Sequence, residues 1–426
     1  MPTSKAPSST SSGYRTLVLG TLTVIYTFSF VDRLVFSILQ EDIKADLGLS
    51  DLQVGMVSGL AFALFYALMG LPIAWAADRY NRVNIITASL ALWSVFTVAC
   101  GAAGSFWQLF LARVGVGFGE AGCTPPSHSL LSDYYQPEER AGALAIYSLG
   151  IPIGALIGLV AGGWLVQTFN WQTAFLVVGL PGVFVAIIAR MWLKEPKRGQ
   201  LEKMPVKSMA MAEVIGELRG KTTFWWIAFA SSVLSFGGYA LNAWMVPHFE
   251  RTFELSKIEV AISFGMAGLI PTMLGTYFGG WITDRLGRRD IRWYGWVPAI
   301  AALVMGPTFF LALQMTRIEF LLMIWLVPAF AAGVWFAPAS AMVQNIVAPG
   351  MRAIAVAVSL FISNMIGLGL GPMMTGAISA HLTLPDGSNQ AAALQSALSI
   401  IVWIYPIGAI FYFLAMRTLP RDWIKE

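Results

Sequence analysis

Four side chains that are charged at neutral pH sit inside apolar runs of this sequence: Asp32 and Arg33 in FSFVDRLVF, and Arg113 and Glu120 in ARVGVGFGE. Their charges sum to zero, so complete mutual neutralisation is available. An unpaired charge in such a run costs several kcal/mol even on lenient insertion scales, and groups of this kind face a bundle interior or an aqueous cavity. Adjacent helical residues diverge by about 100°, so Asp32 and Arg33 do not face each other and each needs its own partner. Arg113 and Glu120 are two turns apart, on one side of their helix. At about 1.5 Å per residue from the outer end of each run, Asp32 lies about 12 Å deep, Arg33 about 10 Å, Arg113 about 9 Å and Glu120 about 20 Å. The expectation is an Asp32–Arg113 pair, with Arg33 directed at Glu120 or at an anionic ligand group. A buried carboxylate that loses its guanidinium takes up a proton instead, so movement of Arg33 would switch Glu120 between charged and neutral. The plain alternative is a static set of structural ion pairs.

The elements that position these residues follow from composition. Of 426 residues, 57% are hydrophobic and 12% charged, about half the charge of an ordinary soluble domain. Crossing about 30 Å of hydrocarbon takes about 20 helical residues, and the chain offers twelve such stretches. They run over about 17–40, 52–77, 84–105, 107–131, 142–166, 173–193, 222–248, 258–282, 292–314, 318–343, 353–379 and 391–416. Long apolar runs without alternation favour helices over a barrel, because a lipid-exposed backbone must satisfy its own hydrogen bonds. The fold class is therefore all-α and integral to a membrane.

Charge sets the expected orientation. With both termini cytoplasmic, 21 of the 27 Lys and Arg residues lie inside and four (Lys44, Arg251, Lys257 and Arg317) outside, leaving Arg33 and Arg113 in the membrane. That asymmetry fits the positive-inside pattern of a cell (inner) membrane protein. The net charge of +4 then reports topology, and no basic, aromatic surface points to nucleic acid. The Ser-rich start has no apolar core of a cleaved signal. Cys100 and Cys123 lack disulfide or metal spacing, and so do His128, His248 and His381. No cofactor or metal is expected, and a monomer is.

An internal repeat divides the chain. AWAADRYNR (74–82) and GWITDRLGRR (280–289) follow the second and eighth stretches, and PEERAGA (from Pro137) and PGMRAIA (from Pro349) follow the fourth and tenth. Matches at corresponding points of two six-helix halves imply a duplicated, pseudo-symmetric pair of bundles. The expected division is a flexible tail over 1–13, one bundle over 14–194, a cytoplasmic linker over 195–221, a second bundle over 222–417 and a short tail over 418–426. An amphipathic helix is expected in the linker near Met209 to Leu218.

Asp78 and Asp284, beside Arg79, Arg82, Arg285 and Arg288, would brace a cytoplasmic gate by capping a helix or pairing with arginine. Gly150, Gly154, Gly158 and Gly162 make a smooth face on which a neighbouring helix packs closely. The second half carries no mid-helix charge, but Tyr239, Asn242, Trp244, Phe264, Trp335, Phe336, Asn364 and Met365 fall near the cavity level. A charged half opposite an aromatic, amide-bearing half suits an amphiphile with one polar head. Asn242 and Trp335 are the expected ligand contacts on that side.

Gly280-x-x-x-Asp284-Arg285-x-Gly287-Arg288-Arg289 resembles the signature between helices 8 and 9 of major facilitator superfamily transporters. Arg113-x-x-x-Gly117-x-Gly119 resembles that superfamily's fourth-helix motif, and the first copy of the repeat departs from the signature with Ala74 and Asn81. FVDRLVF together with GFGEAGCTPP and SDYYQPEERAGALAIYSLGIPIG is similar to the Spinster family of sphingolipid and lysolipid transporters, in a bacterial form. The resemblance implies the major facilitator fold with a lysolipid or sphingoid-phosphate type of cargo; alternating access is expected, with the switch at Glu120 coupling the cargo to a proton. The other expected cargo class is a small organic anion or drug-like compound. No Ser/His/Asp set, Walker loop or HExxH motif points to an enzyme or an ATP-driven pump, and no repeated filter sequence points to a channel.

Overall fold

A computed structural model describes residues 11–199, 201 and 211–424. Most of the expected 1–13 tail, the middle of the linker and residues 425–426 lie outside them. The described residues contain helices and no strand. Eleven helices are long and apolar enough to cross a membrane: Ser12–Leu47, Asp51–Ala77, Arg82–Gly101, Gly142–Thr168, Trp171–Trp192, Thr222–Phe253, Lys257–Gly287, Trp293–Leu313, Ile318–Asn345, Ile354–Leu382 and Gln390–Asp422. The last continues into the expected 418–426 tail.

The expected fourth crossing arrives in two pieces, Phe106–Glu120 and Thr124–Tyr134, separated by a turn at residues 121–123. Pro125 and Pro126 cannot extend the first piece, but their fixed φ suits the opening turn of the second. Both pieces pack on the second and third spans. The Tyr134 hydroxyl donates to the Lys194 carbonyl at 2.7 Å, beside Tyr14, whose hydroxyl donates to the Trp192 carbonyl at 2.9 Å. The broken helix thus completes a crossing and brings the count to twelve. At the other extreme of the chain, Asp422 accepts from the Thr223 amide at 3.3 Å. Residues 12, 192–199, 222 and 422 share one end of the molecule, here the terminal end, and the 40–51 and 251–257 segments share the far end.

Helix pairing repeats with a shift of six. The first span packs on the fifth and the seventh on the eleventh; the second and eighth pack on the fourth and tenth; the third and ninth pack on the sixth and twelfth. The Gly150–Gly162 face does lie against the first span: a Cβ on Gly154 would stand 2.4 Å from the Thr27 carbonyl oxygen. Between the halves, the second span meets the eleventh and the fifth meets the eighth. The linker helix, Met211–Gly220, buries Val214 and Leu218, close to the expected amphipathic segment.

The second and eleventh spans both relax into π-helical turns where they meet, at Met56–Leu60 and Asn364–Leu370. Such turns mark functional bends in otherwise α-helical segments. Here they bring backbone to backbone: a Cβ on Gly59 would lie 2.9 Å from the carbonyl oxygens of both Gly369 and Leu368. Gly59→Ala is expected to wedge this seam and shift the protein toward a conformation open at the far end. Labelling of a cysteine placed beside the seam by a membrane-impermeant reagent measures that shift; labelling equal to that of the unsubstituted glycine would contradict it.

Candidate functional site

The charged residues meet inside the first bundle. The fourth span comes close because it has no side chain at the crossing: a Cβ on Gly117 would stand 2.3 Å from the Phe62 carbonyl oxygen. This approach carries Arg113 and Glu120 inward, leaving Asp32, Arg113 and Glu120 no more than 2% exposed. Arg33 reaches Glu120 Oε2 with Nε at 2.8 Å and Nη2 at 2.7 Å. Ser29, one turn earlier on the same helix face, donates to the same oxygen at 2.7 Å. The Arg33 guanidinium is ringed by Phe30, Phe62 and Tyr66, with centroids 4.7 to 5.1 Å away. Its side chain is 16% exposed, against none for Glu120, so the cation borders the interior space while the carboxylate lies behind it.

The expected Asp32–Arg113 pair is not formed. Asp32 Oδ2 instead accepts from Thr97 Oγ1 of the third span at 2.5 Å. The Arg113 guanidinium lies over the rings of Phe36 at 4.7 Å and Phe62 at 5.3 Å. Equal depth along two helices does not fix rotation about them, and a hydroxyl on a third helix competes for the carboxylate. Asp32 Oδ1, Arg113 Nε and Nη1, and Glu120 Oε1 are buried with no protein partner among the described residues. Buried polar atoms in proteins are otherwise satisfied, so these four atoms are open hydrogen-bonding positions of the cluster.

Across the interior, Tyr239 of the seventh span lies within electrostatic reach of Arg33 and Tyr66. Tyr239, Trp335, Phe336 and Asn364 line a cavity in the second bundle. Asn242 is exposed three residues beyond Tyr239 and outside that lining. Trp244 and Phe264 are not in that lining: Trp244 is fully buried, with its indole donating to the Pro372 carbonyl at 2.8 Å, and Phe264 packs on Phe249 and Trp325. The same cavity is walled by serines that the sequence reading passed over. Their one visible signal was four-residue spacing, Ser231 with Ser235 and Ser359 with Ser363, which places each pair on one helix face.

At the terminal end, Asp78 and Asp284 are exposed and meet no arginine among the described residues. Asp284 accepts from the Tyr294 hydroxyl at 3.0 Å. Arg79 and Arg285 lie over their own helices' Trp75 and Trp281, and Arg288 is exposed. Arg82 behaves differently: it is 1% exposed and holds Asp133 at 2.6 Å and Glu195 at 2.7 Å. That ties the start of the linker to the first bundle.

The far end is locked by residues that the sequence reading took for loop charges. Asp51 Oδ1 receives Lys44 at 2.7 Å and Arg251 at 2.8 Å, while Oδ2 accepts from Arg251 at 2.9 Å and Ser379 at 2.6 Å. Arg251 also grips Glu41 at 2.7 Å, and Lys257 joins Asp42 at 2.6 Å and Glu250 at 3.0 Å. Every one of these groups except Glu250 takes part in a bond between the halves, Lys44 through Gln390 at 2.9 Å. Their side chains came together because the seventh span continues to Phe253, past the expected end at 248.

Two six-helix bundles around a charged interior, sealed at one end and free of such a lock at the other among the described residues, make a membrane transporter. Residues 21–372 match the Major Facilitator Superfamily, and the chain belongs to that family. It is 33% identical, over 96% of its length and 94% of the relative's, to an MFS-type efflux pump of Mycolicibacterium smegmatis. It is 24% identical to protein spinster homolog 1 of Bos taurus, over 93% of this chain and 80% of that one. Among solved structures it is similar to a bacterial homologue of the human lysosomal transporter Spinster in an inward-facing, unoccupied conformation, with TM-score 0.88 and 34% identity over 98% of this chain and 100% of that chain.

Proposed function

We propose that this transporter moves an amphipathic anion of the lysolipid or sphingoid-phosphate type across the cell (inner) membrane by rocking its two bundles, exchanging the cargo for a proton at Glu120. One observation carries the reading: Arg33 stands at the edge of the interior, bordered by aromatic rings, and its carboxylate partner is wholly buried behind it. An anionic head that draws Arg33 forward strips Glu120 of its counter-charge, and a buried carboxylate without one binds a proton. Asp32 and Arg113 hold the floor of the same pocket, and Asn242 and Trp335 face it from the second bundle. The terminal end is the cytoplasmic one, by the excess of basic residues there. Asp78, Arg79, Arg82, Asp284, Arg285 and Arg288 form the cytoplasmic gate and engage across it when that end closes. The bundles over 14–194 and 222–417 move as bodies joined by the linker over 195–221, and the chain works as a monomer.

Flux of a labelled lysolipid into proteoliposomes, with and without an imposed pH gradient, tests this. Wild-type flux is expected to rise several-fold with the gradient, and Glu120→Gln flux to ignore it. Wild-type flux indifferent to the gradient removes the proton from the mechanism. Similarity to an MFS-type efflux pump supports a second reading, export of a drug-like compound, which predicts that such compounds compete with the lysolipid.

A further inference from the structure

The cavity in the second bundle, about 80 Å³ between the seventh, tenth and eleventh spans, is lined with hydroxyls. Helical serines in lipid ordinarily return their hydrogen to the carbonyl one turn back, as Ser232 does to Ala228 at 2.7 Å. Ser235, Ser340 and Ser359 face the cavity instead and have no protein partner among the described residues. Ser359 is 9% exposed, and it lines the space without a protein partner for its hydroxyl among the described residues. Asn364 and Tyr239 add an amide and a phenol to the same lining. No Lys, Arg or His is among the lining residues. A second anion placed there would lack a counter-charge, whereas a neutral hydroxyl both donates and accepts, as serine does. Tyr239, part of that lining, is within electrostatic reach of Arg33.

We infer that this cavity is a subsite for a short neutral polyol, so that the cargo carries its hydroxyls next to the anionic group that meets Arg33. The inference rests on the proposed amphiphile reading for the anion at Arg33, and it adds hydroxyl contacts to the aromatic and amide side chains of the second bundle. A phosphodiester with a glycerol head has the required chemistry: one negative charge, with vicinal hydroxyls a few bonds away.

Two measurements test it on the full chain. In nanodiscs, the tail-less glycerophosphoglycerol is expected to raise the melting temperature at concentrations where inorganic phosphate does not. Ser340→Ala with Ser359→Ala should weaken that binding about tenfold, the worth of one to two hydrogen bonds. In proteoliposomes, lysophosphatidylglycerol is expected to move faster than lysophosphatidic acid of the same chain length, with the ratio falling toward one in the serine variant. Equal stabilisation by the two headgroups, or a variant that keeps the wild-type ratio, overturns the subsite. Selective headgroup binding without flux of either lipid upholds the subsite and overturns the amphiphile reading. Flux of both lipids at one rate, in wild type and variant alike, does the reverse.

Discussion

Arg33→Ala is expected to abolish lysolipid flux and lower the melting temperature, while Arg33→Ala combined with Glu120→Gln regains the temperature but not the flux. The single substitution leaves Glu120 with no counter-charge in a site where its side chain is wholly buried. Breaking a buried pair from one side costs about 3–5 kcal/mol, largely the burden of the charge left behind. The Gln variant removes that charge and keeps an acceptor for Ser29, which donates to Glu120 at 2.7 Å. Stability should return because the orphan charge is gone. Flux should stay at least tenfold down because the cation that receives the cargo is still missing. The two readouts separate a working site from a structural one: a double variant that transports at the wild-type rate would show Arg33 and Glu120 to be mere scaffolding.

The second large effect lies at the opposite end of the interior. Asp51→Asn is expected to favour a conformation open at the far end by about a hundredfold, without unfolding either bundle. Asp51 gathers Lys44, Arg251 and Ser379, and the Arg251 and Asp51 side chains are 7% and 2% exposed. The bonds of Asp51 to Arg251 and Ser379 exist only while the bundles are closed against each other there, so their loss falls on one conformation. About 3 kcal/mol of the cost of breaking a buried pair, at about 1.4 kcal/mol per decade, gives the hundredfold figure. Spin labels at Ala45→Cys and Asp386→Cys, both exposed positions on opposite halves, report the separation. The native Cys100 and Cys123 are buried and should stay unlabelled. A distance distribution unchanged by Asp51→Asn would mean that the ion pairs do not hold the end shut.

The sequence made some of this architecture readable and hid the rest for physical reasons. Long apolar runs locate crossings because lipid imposes their length, and the shared Asp78 and Asp284 motifs reveal the duplication. Lipid does not dictate rotation about a helix axis, which is why depth alone paired Asp32 with Arg113 when Thr97 holds Asp32. The contact of Arg33 with Glu120 was one of two expected directions for that side chain, and the geometry shows it. The lock at the far end went unseen because Lys44, Arg251 and Lys257 were counted as loop charges, a count that serves orientation and is blind to pairing. Serines lining the second bundle drew no attention because they carry no charge, and their common face appears only once three helices are brought together.

The turn at residues 121–123 has a topological consequence. An odd number of crossings places the two ends of a chain on opposite sides of a membrane, and an even number places them on the same side. Counting unbroken helices alone gives eleven and would set Ser12 and Asp422 in different compartments. Tyr14 beside Trp192, and Asp422 beside Thr223, show them together. The interrupted helix bearing Arg113 and Glu120 therefore decides the parity of the whole molecule, and with it whether both ends of the chain meet one compartment.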